Sequence, residues 1–232
     1  MYKMTKKTLI INYSILIILF ILNIFASVFF FTSNSSSKIF EENILKVVEI
    51  KVSDDEISWG YATGFFIDNN GTILTNKHVA HNSSTSSNYN IIQVRLANED
   101  KWYDANVIKI SENDDLAIIK IDKTNTSYFK LKEDVLNGET IYTIGNPNGF
   151  GLSFTSGVIS SNKRNVIYND KTINAIQTSL VINEGNSGGP VFNKNGELLG
   201  IISFRLKDKY GEVIQGVSFA LPSSTIKTFL QD

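Results

Sequence analysis

Between Val47 and Ala220 the chain is a succession of short apolar stretches, none of which sustains a helical hydrophobic period. Val47 to Val52, Thr63 to Ile67, Thr72 to Thr75, Ile91 to Leu96, Val107 to Ile110 and Leu116 to Ile121 come first. Thr140 to Ile144, Phe154 to Ser160, Thr172 to Thr178, Val191-Phe192, Leu198 to Phe204 and Val213 to Ala220 follow. Asn69-Asn70-Gly71, Asn146-Pro147-Asn148-Gly149 and Asn193-Lys194-Asn195-Gly196 supply turns between them. β-Branched and aromatic residues at this spacing predict an all-β sandwich or barrel. A parallel α/β sheet needs helical patterns between its strands, and there are none. One helix is expected at the end, with Pro222 in its first turn and Ile226, Phe229 and Leu230 as an apolar stripe.

The length of 232 residues allows one domain, or two small ones, plus a tail. With 22 Lys+Arg against 23 Asp+Glu, the net charge of -1 offers no basic field for nucleic acid. The absence of cysteine removes disulfides, cysteine zinc sites and thiol nucleophiles. Two histidines, at 78 and 81, leave little for a metal site, so no metal and no cofactor is expected. Asp54-Asp55-Glu56 lacks the alternating ligand spacing of a calcium loop and reads as a solvated turn. Asn82-Ser83-Ser84 is a glycosylation-type triplet that an Asn- and Ser-rich chain produces by chance.

At the N-terminus Lys3, Lys6 and Lys7 precede Leu9 to Phe31, 23 residues without a charge. As a helix that stretch is roughly 34 Å long, against a hydrocarbon core of about 30 Å. The expected organisation is a cytoplasmic N-terminus (1–8), a transmembrane anchor (9–31), a flexible linker (32–39) and a folded domain (40–232) outside the cytoplasm. The alternative is a signal sequence, whose cleavage would release a secreted domain.

Gly185-Asn186-Ser187-Gly188-Gly189-Pro190 is the sharpest local pattern. A serine hydroxyl becomes a nucleophile when a base takes its proton and donors stabilise the resulting oxyanion. Gly185 lets the backbone turn so that the amides of 185 and 187 converge. The bland alternative is a glycine-rich hairpin. His78, after the strand ending at Thr75, is the candidate base, while His81 beside a serine-rich loop reads as surface. Asp115, at the mouth of the apolar strand Leu116 to Ile121, is the candidate carboxylate, and Asp114 reads as a solvated turn residue.

The order His, Asp, Ser, with Thr-Asn-Lys-His-Val, Asp-Leu-Ala-Ile-Ile-Lys-Ile and Gly-Asn-Ser-Gly-Gly-Pro, resembles the trypsin-like serine proteases of the HtrA/Deg group. Ala62 to Phe65, Ile144 to Pro147, Thr155 to Ser160, Ile176 to Thr178 and Gly216 to Pro222 extend the resemblance from about residue 45 to 225. It implies two perpendicular six-stranded β-barrels, the first bringing His78 and Asp115 and the second Ser187. Ser187 would be the nucleophile, His78 the base and then acid, and Asp115 the group that orients the imidazole. The oxyanion hole would use the backbone of Gly185 and Ser187, with Asn186 between them. The substrate pocket would have Val181 at its base and Ser218, Phe219 and Ala220 along its wall. No acid lies there, so a preference for Lys or Arg is disfavoured and an aliphatic residue is expected. Polypeptides, misfolded or envelope proteins, are the expected substrates, and family members often form homotrimers.

The chain departs from the family at Ser179-Leu180-Val181 and at Glu184, three residues before the serine. No C-terminal PDZ domain is expected, since the sequence stops just after the protease core. Two other functions stay open. One is a binding or chaperone module of the same fold with a distorted triad. The other is an exported glutamyl endopeptidase, although such enzymes usually have serine where Gly189 stands.

Overall fold

The computed structural model describes residues 6–33, 36–168, 171–207 and 209–231. The segment Met1–Ile39 and the body Phe40–Asp232 are separate compact units. In the first, α1 (Lys6–Ser33) is helical and the side chains from 12 to 27 are exposed. Residues 1–5 of the expected cytoplasmic stretch, 34–35 of the expected linker, and the side chains of 9–11 and 28–31 in the expected anchor lie outside the described residues. Among the described residues no helix is long and apolar enough to cross a membrane. The expected flexible linker is corrected over its second half, where α2 (Ser36–Asn43) begins. Ile39 and Asn43, four apart and both buried, give this helix an inner edge that the polar composition concealed.

The body is built from strands. In chain order these are β1 (Val47–Ser53), β2 (Gly60–Phe66), β3 (Thr72–Thr75), β4 (His81–Asn82), β5 (Ser87–Asn88), β6 (Ile91–Leu96), β7 (Trp102–Asp104), β8 (Asn106–Ile110) and β9 (Ala117–Lys120). A one-turn helix, α3 (Lys77–Ala80), follows β3. Except for the small β4-β5 ribbon, these strands make one sheet in the order β7-β6-β1-β2-β3-β9-β8. Its two edge strands are consecutive in the chain, separated only by Ala105. One bent strand therefore serves both edges and curls the sheet on itself, so a nominally seven-stranded sheet contains six strand courses. β6 alternates inward Ile92, Val94 and Leu96 with half-exposed Ile91, Gln93 and Arg95, the period-two signature of a strand with one buried face. Ile50, Ile73, Val94 and Ile119 fill the interior.

The second half contains β10 (Lys130–Leu131), β11 (Thr140–Gly145), β12 (Ser153–Tyr168), β13 (Lys171–Thr178), β14 (Pro190–Asn193), β15 (Glu197–Lys207) and β16 (Val213–Pro222). The order is β10-β15-β14-β11-β12-β13-β16, and a further β15–β16 pairing joins the ends of the inner six. That pairing closes a six-stranded barrel and eliminates its edges; β10 lies outside it, parallel to β15. Ile141, Ile176, Val191 and Leu199 make its core. The expected C-terminal helix is α4 (Ser223–Gln231). Pro222 ends β16 instead of opening the helix, Ile226 and Phe229 are buried, and Leu230 is exposed.

An aromatic file runs along the junction of the two sheets. Phe65 of β2 meets Phe129 edge-on at 5.7 Å, and Phe129 meets Phe192 of β14 at 5.2 Å. Phe192 lies 6.0 Å from Tyr142, which stacks on Phe154 at 5.4 Å. Such pairs add about 0.5–1.5 kcal/mol each beyond the area they bury.

Candidate active site

His78 projects from α3. Val79 and Ala80 on the same turn are buried, which leaves the imidazole toward the cleft. Asp115 stands two residues before the first residue of β9, and its backbone carbonyl accepts the Asn76 side-chain amide at 2.9 Å. The carboxylate collects three donors. His78 Nδ1 lies 2.9 Å from Oδ2 and 3.0 Å from Oδ1. The His78 backbone N–H donates to Oδ1 at 3.1 Å, and Ser203 Oγ donates to Oδ2 at 2.8 Å.

These contacts set the electrostatics. Burial alone would raise the Asp115 pKa, but the His78 hydrogen bond and charge, the His78 amide and the Ser203 hydroxyl outweigh it and hold the carboxyl below its ordinary 3.8. Burial would lower the His78 pKa, but the hydrogen bond and charge of Asp115 prevail and raise it above 6.5. An ionised carboxylate only accepts, so Nδ1 carries a proton. In the neutral ring Nε2 is then the basic nitrogen.

Ser203 has no signal in the sequence. The register explains its role: Ile202 faces Ala220 and Phe204 faces Phe219, so Ser203 is the extra residue of a β-bulge. A bulge leaves one residue outside the ladder and redirects its side chain. Here the redirected hydroxyl reaches Asp115.

The loop carrying Ser187 is tied down through its carbonyls. Glu184 O accepts the Asn148 amide at 2.7 Å, and Asn186 O accepts the Gly189 amide at 3.0 Å. In a planar trans peptide the N–H points opposite to the C=O. The N–H groups of Gly185 and Ser187 therefore face away from those partners, and neither has a hydrogen-bond acceptor among the described residues. The Asn186 amide is already engaged, donating to Asn183 O at 3.1 Å. Gly185 has φ +92°, and a Cβ there would lie 2.1 Å from Asn146 O, so glycine is required at that position.

His78 and Ser187 line one open cleft of about 310 Å³, together with Ile182, Asn183, Glu184, Ser203, Phe204, Arg205 and Val213. Among the described residues no hydrogen bond joins Ser187 Oγ to the imidazole. Catalytic hydrogen bonds are often long in unliganded proteins and tighten in the substrate complex.

None of the residues expected to form the substrate pocket is among those lining this cleft. Ser218, Phe219 and Ala220 are buried in β16 at 1%, 2% and 0% exposure. The Ser218 hydroxyl donates to Leu180 O at 3.1 Å, and Phe219 stacks on Phe204 with centroids 5.0 Å apart. Val181 is 54% exposed and is not among the residues lining the cleft. Arg205, whose Nη1 donates to Ile182 O at 3.2 Å, does line it.

His81 bonds Asn88 Oδ1 at 3.3 Å across the β4-β5 ribbon. Burial raises the Asp114 pKa, with Lys171 opposing, and Asp114 lines a second pocket of about 260 Å³ beyond His78 and Asp115. Asp55 accepts the amides of Ile57 and Ser58, each at 2.9 Å, as a turn residue. Among the described residues no group of three or more His, Asp or Glu is placed to hold a metal ion.

A trypsin-like peptidase domain matches residues 62–201, more than half of the sequence. The chain belongs to the trypsin-like peptidases, in the HtrA/Deg group. It is 36% identical over 184 residues to "Serine protease HTRA2, mitochondrial" of Drosophila grimshawi, covering 77% of this chain and 40% of that protein. The corresponding protein of Drosophila virilis is 35% identical over the same length and 41% covered. Among solved structures, the HtrA-type protease AlgW with a tripeptide superposes with a TM-score of 0.74 at 28% identity, over 85% of this chain and 62% of that one. This HtrA-type chain thus spans about 40% of the length of the curated relatives it matches.

Proposed function

We propose that this trypsin-like peptidase is a serine endopeptidase. The Ser187 Oγ forms a bond to the scissile carbonyl carbon while His78 Nε2 takes the hydroxyl proton. The oxyanion is received by the amides of Gly185 and Ser187. His78 returns the proton to the departing amine as the C–N bond breaks. Water, deprotonated by the same imidazole, then bonds to the acyl carbon, and the C–Oγ bond breaks as the imidazolium gives its proton back to Ser187 Oγ. Asp115 stabilises the transient imidazolium. The observation that carries this reading is the Asp115 carboxylate, fixed by His78 Nδ1 at 2.9 Å and by Ser203 at 2.8 Å, with Ser187 in the same cleft as His78 and the Gly185 and Ser187 amides without an acceptor among the described residues. A fluorophosphonate probe tests it: wild type is labelled and Ser187→Ala is not. A folded wild type that resists the probe overturns it.

The same reading places the chain on a membrane through residues 9–31, with substrates among misfolded or envelope polypeptides. Support for the anchor is the uncharged run behind three lysines. The 232-residue chain should sediment with membranes and a version starting at residue 36 should stay in the supernatant. Arg205 and Glu184 both line the cleft, so it presents charges of both signs, and the expectation against Lys or Arg rests on the absence of an acid among Val181, Ser218, Phe219 and Ala220.

A second reading, a binding module with an idle triad, is favoured by one observation: Ser187 and His78 share a cleft without a hydrogen bond between them. The probe separates the two readings, because an idle triad does not react.

A further inference from the structure

We infer that Thr63 is a positioning residue for the oxyanion loop, a clamp supplied by the first sheet to the segment of the second that carries Ser187. Thr63 lies in β2 and is fully buried. Its Oγ1 donates to Gly185 O at 2.6 Å and accepts the Asn146 amide at 2.9 Å. Its backbone N–H donates to Ser187 O at 3.0 Å. A hydroxyl has one hydrogen to give, and here it goes to the carbonyl between Gly185 and Asn186.

The consequence follows from peptide planarity. The carbonyls of Glu184, Gly185, Asn186 and Ser187 are held by the Asn148 amide, the Thr63 hydroxyl, the Gly189 amide and the Thr63 amide respectively. Two of these four restraints come from Thr63. By planarity the Gly185 N–H is fixed through Glu184 O and the Ser187 N–H through Asn186 O. Thr63 holds Gly185 O and Ser187 O and so anchors the peptides on either side of the one that carries the Ser187 N–H, which cannot then turn over freely. The backbone bond to Ser187 O survives any side-chain change, so the hydroxyl's own share can be isolated. Thr63→Val keeps the shape of the side chain and removes both hydroxyl contacts, whereas Thr63→Ser keeps them.

The kinetic arm of the test rests on the proteolytic reading, and the exchange arm does not. With a peptide substrate, Thr63→Val should lower kcat by roughly tenfold to a hundredfold with KM little changed, because oxyanion donors act in the transition state. Thr63→Ser should restore kcat to near the wild-type value. A merely structural role lowers the folded fraction, which by itself reduces apparent kcat at constant KM. The kcat is therefore expressed per folded molecule as read by circular dichroism, and a loss that disappears on this normalisation overturns the inference. By amide hydrogen exchange, the Asn186 N–H should exchange faster in Thr63→Val than in wild type or Thr63→Ser. Unchanged Asn186 protection and unchanged kcat in folded Thr63→Val overturn the inference. If Thr63→Val does not fold, wild type still decides: the Asn146 amide, whose acceptor is Thr63 Oγ1, must be protected, and rapid exchange there overturns the clamp. A wild type that never reacts with fluorophosphonate sinks the proteolytic reading alone, and the exchange comparison continues to support or overturn the role of Thr63.

Discussion

Asp115 concentrates the electrostatic cost of the site in one carboxylate, which is partly buried and remains charged because three donors replace its water. Asp115→Asn should lower kcat on the order of 10⁴, since the amide presents the wrong hydrogen-bonding partner to Nδ1. The pH profile carries a separate prediction. His78 must be neutral to act as base, and its pKa is raised above 6.5, so kcat/KM should rise with pH along a limb lying above that value. In Asp115→Asn the raising influences vanish and burial, which lowers the pKa, is left, so the limb moves to lower pH. Stability follows the same linkage. The raised His78 contributes stability fully present below pH 6.5 and lost as pH rises through its folded pKa. The lowered Asp115 contributes stability present above pH 3.8 and lost as pH falls through its folded pKa. The difference in Tm between wild type and Asp115→Asn should therefore be greatest between pH 3.8 and 6.5. Ser203→Ala removes one hydrogen bond to a charged group, worth about 1.5–3 kcal/mol, and a kcat loss on the order of tenfold is expected in a steady-state assay.

Single elements show where local sequence is informative and where it is silent. The Gly-Asn-Ser-Gly-Gly-Pro pattern was readable because its backbone demands glycine: Gly188 has φ +81°, and a Cβ there would fall 2.2 Å from Thr63 O. Gly188→Ala should lower the melting temperature and abolish probe labelling together, measured on the same sample. His78 and Asp115 were readable from their places at the ends of strands. The bulge at Ser203 was not, because an extra residue in a ladder leaves no trace in a β-rich stretch such as Leu198 to Phe204. Thr63 was hidden for a similar reason, since a threonine in a strand is ordinary and its partners, Asn146 and Gly185, are distant in the chain. The residues expected for the substrate pocket are not those that line the cleft beside Ser187. Counting back from Ser187 finds residues along the chain, but β16 turns Ser218 to Ala220 inward, and the cleft wall comes from Ile182 and Arg205. β12 extends to Tyr168, well past the expected end at Ser160, because its two register shifts let it keep pairing with β13 through a polar stretch.

At the scale of the molecule, the two sheets are joined by the aromatic file and by hydrogen bonds such as those of Thr63. Phe192, fully buried between Phe129 and Tyr142, is the residue whose loss should be felt by both halves. Phe192→Ala should cost about 3–5 kcal/mol, read as a lower urea midpoint. The all-β architecture was legible in the strand spacing, and the family motifs pointed to the separation of His78 and Asp115 in the first sheet from Ser187 after the second sheet's β13. The joining of β7 to β8 through Ala105 was not, because it depends on which edges meet. That topology also gives the chain a natural seam. Only one course of backbone, the stretch between Lys120 and Lys130, leads from the first sheet to the second, and no strand of one is paired into the other. A nick at the exposed Thr124-Asn125 turn would thus yield two polypeptides, each with a complete set of strands and half of the chemistry. Made apart, both should be inert; mixed, they should reassociate and recover fluorophosphonate reactivity, as complementing fragments.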